Sequence, residues 1–212
     1  MAESPNPRRS ALLQTRSRNT RRALIRAALD LWKERGFEAA FEETTAEEIA
    51  RAAGVSKGTF YFHFAHKEDI LLEMQWATAD LMIEEAARAI ERGEETEALV
   101  RALMASLARR VSKAPRAAVL RGMGHWARLS QDVLAEGPRG FGQAFHAVLV
   151  HGRERGDLPA GIDAEELSSL LQAATMDALV RWAASDQSPA ALQELLSRRA
   201  EVVLRGATAS YS

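Results

Sequence analysis

Residues 44–64 read Thr-Thr-Ala-Glu-Glu-Ile-Ala-Arg-Ala-Ala-Gly-Val-Ser-Lys-Gly-Thr-Phe-Tyr-Phe-His-Phe, and their types and spacing suit the grip of a polyanion rather than bond-making chemistry. Two short helices joined by a turn at Gly54 account for the pattern. Thr45, with Glu48 three residues on, is a helix-start signature, and Ser56 is the matching cap of the second helix. Ala50 is small where the helices must cross, Gly54 supplies the turn's unusual backbone angle, and Val55 is spaced to pack forward onto Phe60. Turning the second helix about its axis buries Phe60 and Phe64. Gly58 and Phe62 then lie opposite, with Thr59 and Tyr61 on the flanks. Exposed rings beside Lys57 fit the major groove of duplex DNA, where they meet thymine methyls while hydroxyls meet bases or phosphates. The expected DNA contacts are Thr44, Thr45, Ser56, Lys57, Gly58, Thr59, Tyr61, Phe62, His63 and Lys67. Of these, Thr44, Thr45 and Lys67 stand at helix starts, where they would hold phosphates and set position rather than sequence preference. Each has an ordinary alternative taken singly: threonines cap helices, Lys67 pairs with acids, Tyr61 covers a small core. It is their joint occurrence that points to DNA.

The elements that must hold these residues are all helical, since apolar residues recur at three- and four-residue spacing and no stretch alternates. Leu24, Ala28, Leu31 and Trp32 form one face of a first helix that Gly36 closes, and Phe37 re-enters the core. A long helix is predicted over 67–92, with Ile70, Leu71, Met74, Ala77, Leu81, Ala86 and Ile90 inward; at 1.5 Å per residue it reaches roughly 39 Å. Further helices are predicted over 95–113, 115–129 and 138–155. Another opens at Asp163 with Glu166, and a last one starts at Ser188-Pro189.

The net charge of −1 conceals an asymmetry. Residues 1–67 carry 12 Lys/Arg against 8 Asp/Glu, a balance of +4, so the remainder carries −5. Arg8, Arg9, Arg16, Arg18, Arg21 and Arg22 crowd the start, as either a solvated tail or an arm for nucleic acid. The absence of cysteine excludes thiol catalysis, thiolate metal sites and disulfides. No window reaches the apolar length of a membrane helix and the first twenty residues lack a secretory core, so a soluble, cytoplasmic protein without membrane attachment is expected. Phosphate loops, a nucleophile elbow and a helix-borne zinc pair are missing, and His146 and His151 stand five apart on diverging helix faces. Gly122-x-Gly124 is too little for a nucleotide site. Neither an enzyme nor a cofactor is expected.

From Leu24 to Leu71 the sequence resembles the amino-terminal domain of the TetR family of bacterial regulators. The resemblance rests on Glu34-Arg35-Gly36-Phe37, Thr44-Thr45, Ile49-Ala50, Ala53-Gly54-Val55-Ser56-Lys57-Gly58-Thr59, Tyr61, Phe64 and Lys67-Glu68. It covers about a quarter of the chain; Phe60 stands where the family usually has leucine, and Phe62 where the residue varies with the operator. The resemblance implies a homodimer of about nine helices per subunit. A basic arm (1–18) without fixed structure would precede a three-helix helix-turn-helix domain (19–66) and a larger ligand-binding and dimerisation domain (67–212). Its last two helices would build the dimer interface. The implied function is a transcriptional repressor that leaves its DNA operator when a small, largely apolar effector binds; the alternative is a DNA-bound adaptor of the same fold acting through a protein partner. Beyond residue 95 the resemblance is loose, chiefly Arg155-Gly156-Asp157-Leu158 ahead of Asp163. Flexible Met and flat aromatic side chains nominate Met104, Met123, His125, Trp126, Phe141, Phe145 and Met176 for the effector pocket, although most such residues are plain core.

Overall fold

The computed structural model describes residues 7–133 and 140–209. Among the described residues there are ten helices and no strand: α1 (Pro7–Arg35), α2 (Phe37–Glu43), α3 (Ala46–Ala52), α4 (Lys57–His63), α5 (Asp69–Glu91), α6 (Thr96–Val111), α7 (Arg116–Val133), α8 (Phe141–Arg155), α9 (Ala164–Ala183) and α10 (Pro189–Ala209). The chain divides into two compact units, Met1–Ile70 and Leu71–Ser212. No helix among the described residues is long and apolar enough to cross a membrane.

The smaller unit holds four helices rather than the expected three. The addition is α2, seven residues that are too short to show a helical period but have Phe37 and Phe41 one turn apart. Those rings stack 5.3 Å apart, and both meet Trp32 of α1, at 5.8 and 4.9 Å. Gly36, at φ +81°, makes the break between α1 and α2. A second difference is at the start, where α1 begins at Pro7, inside the stretch expected to be an arm. Between Arg8 and Arg35 the sequence holds neither proline nor glycine, so nothing interrupts the helix. Residues 1–6 of that arm, and the expected helix start at 138, lie outside the described residues.

In the larger unit α9 packs against α7, α8 and α10, and α10 also lies along α6. Met82, Leu107, Phe145, Leu149, Leu171 and Leu196 are fully buried between them. The Arg155-Gly156-Asp157-Leu158 run closes one end of this core. Gly156 ends α8 in the left-handed conformation at φ +83°, Leu158 is buried, and Asp157 caps α6 from across the fold. Its Oδ2 accepts from the amide and the hydroxyl of Thr96, each at 3.0 Å. Those bonds, with burial opposing them and Arg155 adding to them, hold the Asp157 carboxyl below the usual carboxylate range. Asp163 caps α9 by accepting from the amides of Glu165 and Glu166. Arg116 fixes the far end of α9: its guanidinium donates to the Trp182 carbonyl at 2.8 Å, to the carbonyls of Ser185 and Gln187, and lies over the Trp182 ring at 4.3 Å.

Candidate functional site

The smaller unit is built to hold α4 still. Helix α3 starts at Thr45, whose hydroxyl accepts from the Glu48 amide at 3.1 Å. The reciprocal bond of a full capping box is not made, because the Glu48 carboxylate turns to Arg35 of α1, 2.7 Å away. After α3 the amides of Gly54 and Val55 fold back onto the carbonyls of Arg51 and Ala50, at 3.1 and 2.9 Å, with Gly54 at φ +71°. Ser56 then caps α4 by accepting from the Thr59 amide at 3.1 Å. Phe60, on the inner side of α4, is fully buried beside Phe64, their ring centres 5.7 Å apart. At the other end of the helix Arg21 of α1 donates to the His63 carbonyl at 2.8 Å.

The outer side of α4 is open. Tyr61 is 53 % exposed and Phe62 78 %, the latter being the most exposed of the large apolar side chains among the described residues. A helix seven residues long has no packing reason to present two rings in this way. Lys57 is exposed at the helix start and only loosely paired, 3.5 Å from Glu47. Gly58 has open space where a side chain would stand, with only the Ser56 hydroxyl within reach at 3.8 Å. Thr59 is half-buried and shares a 2.9 Å hydrogen bond with the Ser56 hydroxyl. His63 is half-buried, and burial, with the charge of Arg21 added, lowers its pKa, so the ring is neutral at physiological pH.

Two expected phosphate contacts are placed elsewhere. Thr44 is 1 % exposed and its hydroxyl donates to the Ala40 carbonyl, closing the end of α2. Lys67 donates to the carbonyls of Phe41, Glu42 (3.1 Å) and Thr44 (3.2 Å), and its ammonium lies 4.8 Å from the centre of the Phe41 ring. All three of its protons are thereby engaged, on the carbonyls that α2 leaves unsatisfied. Thr45 remains exposed.

The larger unit contains an apolar cavity of about 110 Å³ between α5, α6 and α7, walled by Leu71, Met74, Gln75, Thr78, Arg110, Val111, Ala114, Ala118, Val119, Met123, Phe141 and Leu179. Arg110 is the single charged residue in that wall. A smaller space of about 20 Å³ shares Gln75 and Phe141 with it and is bordered by Trp76, Trp126 and Met176. Of the seven residues nominated from sequence, Met123, Phe141, Trp126 and Met176 thus border a cavity. Met104 and Phe145 are sealed in the core, Met104 touching the Thr175 hydroxyl, and His125 is buried away from either space. Sequence reasoning missed Gln75, Thr78 and Arg110. Their one legible signal was position: polar residues falling on the inward faces of α5 and α6.

The fold and the site together define a helix-turn-helix unit joined to a larger helical unit with an apolar cavity. Residues 24–74, about a quarter of the chain, match the sequence model of bacterial regulatory proteins of the tetR family. The regulator TcmR of Streptomyces glaucescens is 44 % identical over 66 residues, 31 % of this chain, and the match spans about a quarter (27 %) of that relative's length. The fatty acid metabolism regulator protein of Bacillus subtilis is 25 % identical over 175 residues, covering 77 % of this chain and 84 % of that one. Among solved structures, the transcriptional repressor FadR of Thermus thermophilus, in complex with lauroyl-CoA, superposes with a TM-score of 0.73 at 29 % identity, over 88 % of this chain and 94 % of that chain.

Proposed function

We propose that the protein is a homodimeric transcriptional repressor whose α4 enters the major groove of an operator, and which releases that operator when a ligand with a long apolar part enters the α5–α7 cavity. The observation that carries the reading is the two-sided α4: Phe60 locked inside, Tyr61 and Phe62 held outside. Lys57, Thr59 and Tyr61 supply a cation and hydroxyls beside the Phe62 ring, a set suited to thymine methyls, base edges and the flanking phosphates. Ser56, Gly58, His63 and the exposed Thr45 frame that face. Thr44 and Lys67 act behind it, by fixing α2.

Pairing of two subunits is supported by apolar residues left outside on the last two helices. Leu170 on α9 is 50 % exposed and Val202 on α10 is 65 % exposed, with Val180 between them in the chain. Arg199 ties these helices together through the Ala174 carbonyl and the Asp177 carboxylate.

The ligand class is supported by the cavity and by the relatives. A volume of about 110 Å³ is below that of the ~150 Å³ apolar cavity that admits a benzene ring, so a long chain enters only if the wall moves. Met74 and Met123 are unbranched and can repack. The wall also begins at Leu71, the residue that follows the smaller unit directly. Ligand entry therefore displaces the stretch of α5 from which the reading unit hangs, which shifts the population away from the DNA-competent state. Two recognition helices must stand about 34 Å apart to enter successive grooves, so a small displacement suffices. The lauroyl-CoA complex of the Thermus repressor makes a fatty acyl thioester the first effector to try. The test is selection of bound duplexes from a randomised library, followed by gel shift of the recovered site with and without lauroyl-CoA. Recovery of one palindromic site, released by the thioester, is expected. Absence of any selected site contradicts the reading, and a site retained under every ligand favours an adaptor.

A further inference from the structure

The apolar cavity has a charged neighbour. Arg110, the one ion in the cavity wall, donates through Nη2 to the Glu85 carboxylate and through Nε to the Ser106 hydroxyl at 3.3 Å. Glu85 and Ser106 do not line the apolar cavity; they line a separate groove of about 200 Å³ between α5 and α6, together with Arg88, Arg92 and Arg109. The Arg110–Glu85 pair thus joins a residue of the apolar cavity's wall to a residue of the arginine-lined groove, and can serve as a partition between the two.

The charge of that groove runs against its surroundings. Residues 68–212 carry a net −5, yet here the groove's three arginines, with Arg110 of the cavity wall paired to its rim, face two glutamates, Glu85 and Glu94. All four cations are arginine, whose planar fork matches phosphate oxygens two at a time. Their present partners are easily exchanged. Arg88 meets Glu84 at 3.5 Å with both side chains more than half exposed, and the exposed Arg92 pairs with Glu94; such pairs contribute only about 0–1 kcal/mol each. Glu85 differs. Burial pushes its carboxyl up, but the hydrogen bonds from Ser106 and Arg110 and the charges of Arg110 and Arg109 outweigh burial, so it stays ionised and holds Arg110 at the partition.

Resting on the ligand reading above, we infer that the α5–α6 groove is the seat of a phosphorylated headgroup, carried by the same ligand whose apolar tail fills the cavity beyond Arg110. Arg88, Arg92 and Arg109 take the phosphate oxygens. Arg110 swings from Glu85 towards the ligand at the junction of head and tail, which opens the partition. The recognised chemistry is an apolar chain joined to one or more phosphates, so a bare fatty acid engages only the tail chamber.

The test uses the full chain in calorimetric titrations with laurate, dodecyl phosphate, lauroyl-CoA and CoA alone. Wild type should bind lauroyl-CoA about tenfold or more tighter than laurate, with added salt weakening only the phosphorylated ligands. The double variant Arg88→Gln/Arg109→Gln, altered only at exposed side chains, should bind lauroyl-CoA about tenfold more weakly while its laurate affinity stays within about twofold. Dodecyl phosphate ranking with lauroyl-CoA marks the phosphate itself as the recognised group; ranking with laurate marks the larger carrier's several phosphates. Equal affinity of wild type for laurate and lauroyl-CoA, unchanged in the double variant, overturns the headgroup seat and leaves the tail chamber standing. If wild type binds none of the four, the acyl-ligand reading falls, and the headgroup seat falls with it.

Discussion

Arg21 holds the end of α4: its guanidinium donates to the His63 carbonyl across 2.8 Å and lies 4.5 Å from the centre of the Phe64 ring. The last carbonyls of a helix have no partner within it and carry its negative pole, so a cation placed there both caps α4 and fixes its direction. Arg21 belongs to the basic run that the sequence offers as a DNA-facing arm, yet its contact is with protein.

Replacing Arg21 with alanine is expected to cost about 1–2 kcal/mol of stability through the lost charged hydrogen bond and to weaken operator binding about tenfold. Arg21→Lys, which keeps the charge, should recover part of both. Thermal melts and gel shifts of the two variants check this. An Arg21→Ala protein with normal stability and normal binding would remove the lash from the account.

The same contact sets a pH dependence. Burial first, and the Arg21 charge second, lower the pKa of His63, so the folded value lies below the ordinary value of about 6.5. The neutral ring is the one the fold prefers; its contribution to stability is complete above that ordinary value and is lost as pH falls through the lowered one. Proton NMR titration of the imidazole should give a midpoint below the ordinary value in wild type and a higher one in Arg21→Ala. Identical midpoints contradict the assignment.

Lys67 and Tyr61 separate structural from DNA-facing roles. Lys67→Met leaves the carbonyls of Phe41, Glu42 and Thr44 without their donor and should lower stability by about 1–3 kcal/mol. The slope of operator affinity against salt should stay unchanged, since no phosphate contact is lost. Tyr61→Phe should leave melting within about 0.5 kcal/mol of wild type while weakening the operator complex. A shallower salt slope for Lys67→Met returns that residue to the DNA surface.

Gly152 guards the cap of α6. A Cβ added there would collide with the Thr96 side chain and stand 3.1 Å from Leu158 Cδ1. Gly152→Ala should destabilise the larger unit by about 1–3 kcal/mol, and Asp157→Ala by about 1 kcal/mol through loss of the cap. Because the Asp157 carboxyl is held low, its contribution is present above the ordinary carboxylate pKa and fades as pH falls through the lowered value. Denaturant melts at neutral and acidic pH should show the Asp157→Ala penalty shrinking with acid; a constant penalty denies the charged cap.

The sequence made the all-helical class and the α3–α4 turn legible because each rests on local chemistry: helical periodicity, the caps at Thr45 and Ser56, and Gly54 in the turn. The outward placement of Tyr61 and Phe62 followed from geometry alone, since Phe60 and Phe64 four residues apart define the buried side. What local chemistry does not encode is which partner a polar group finds across the fold. Thr44 and Lys67 at apparent helix starts looked outward-facing, but α2 leaves unsatisfied carbonyls nearby and both residues turn to them. The wall of the apolar cavity was half legible for the same reason. Aromatic and Met content nominated Met123, Phe141, Trp126 and Met176, and equally nominated Met104 and Phe145, which packing seals. Arg110 and its partition with Glu85 join residues 25 apart on two helices, a pairing set by how α5 and α6 pack.

The proposed reading of DNA by the outer rim of α4 is tested most directly at Phe62, whose side chain is 78 % exposed and whose ring contact is with the adjacent His63, 5.1 Å away. Binding-site selection should be run in parallel on wild type and Phe62→Ala, with melting temperatures measured on the same preparations. Unchanged melting with an altered base preference at the positions facing α4, and an affinity lower by about tenfold, is the expected result. The same selected sequences, bound equally well by both proteins, would contradict it.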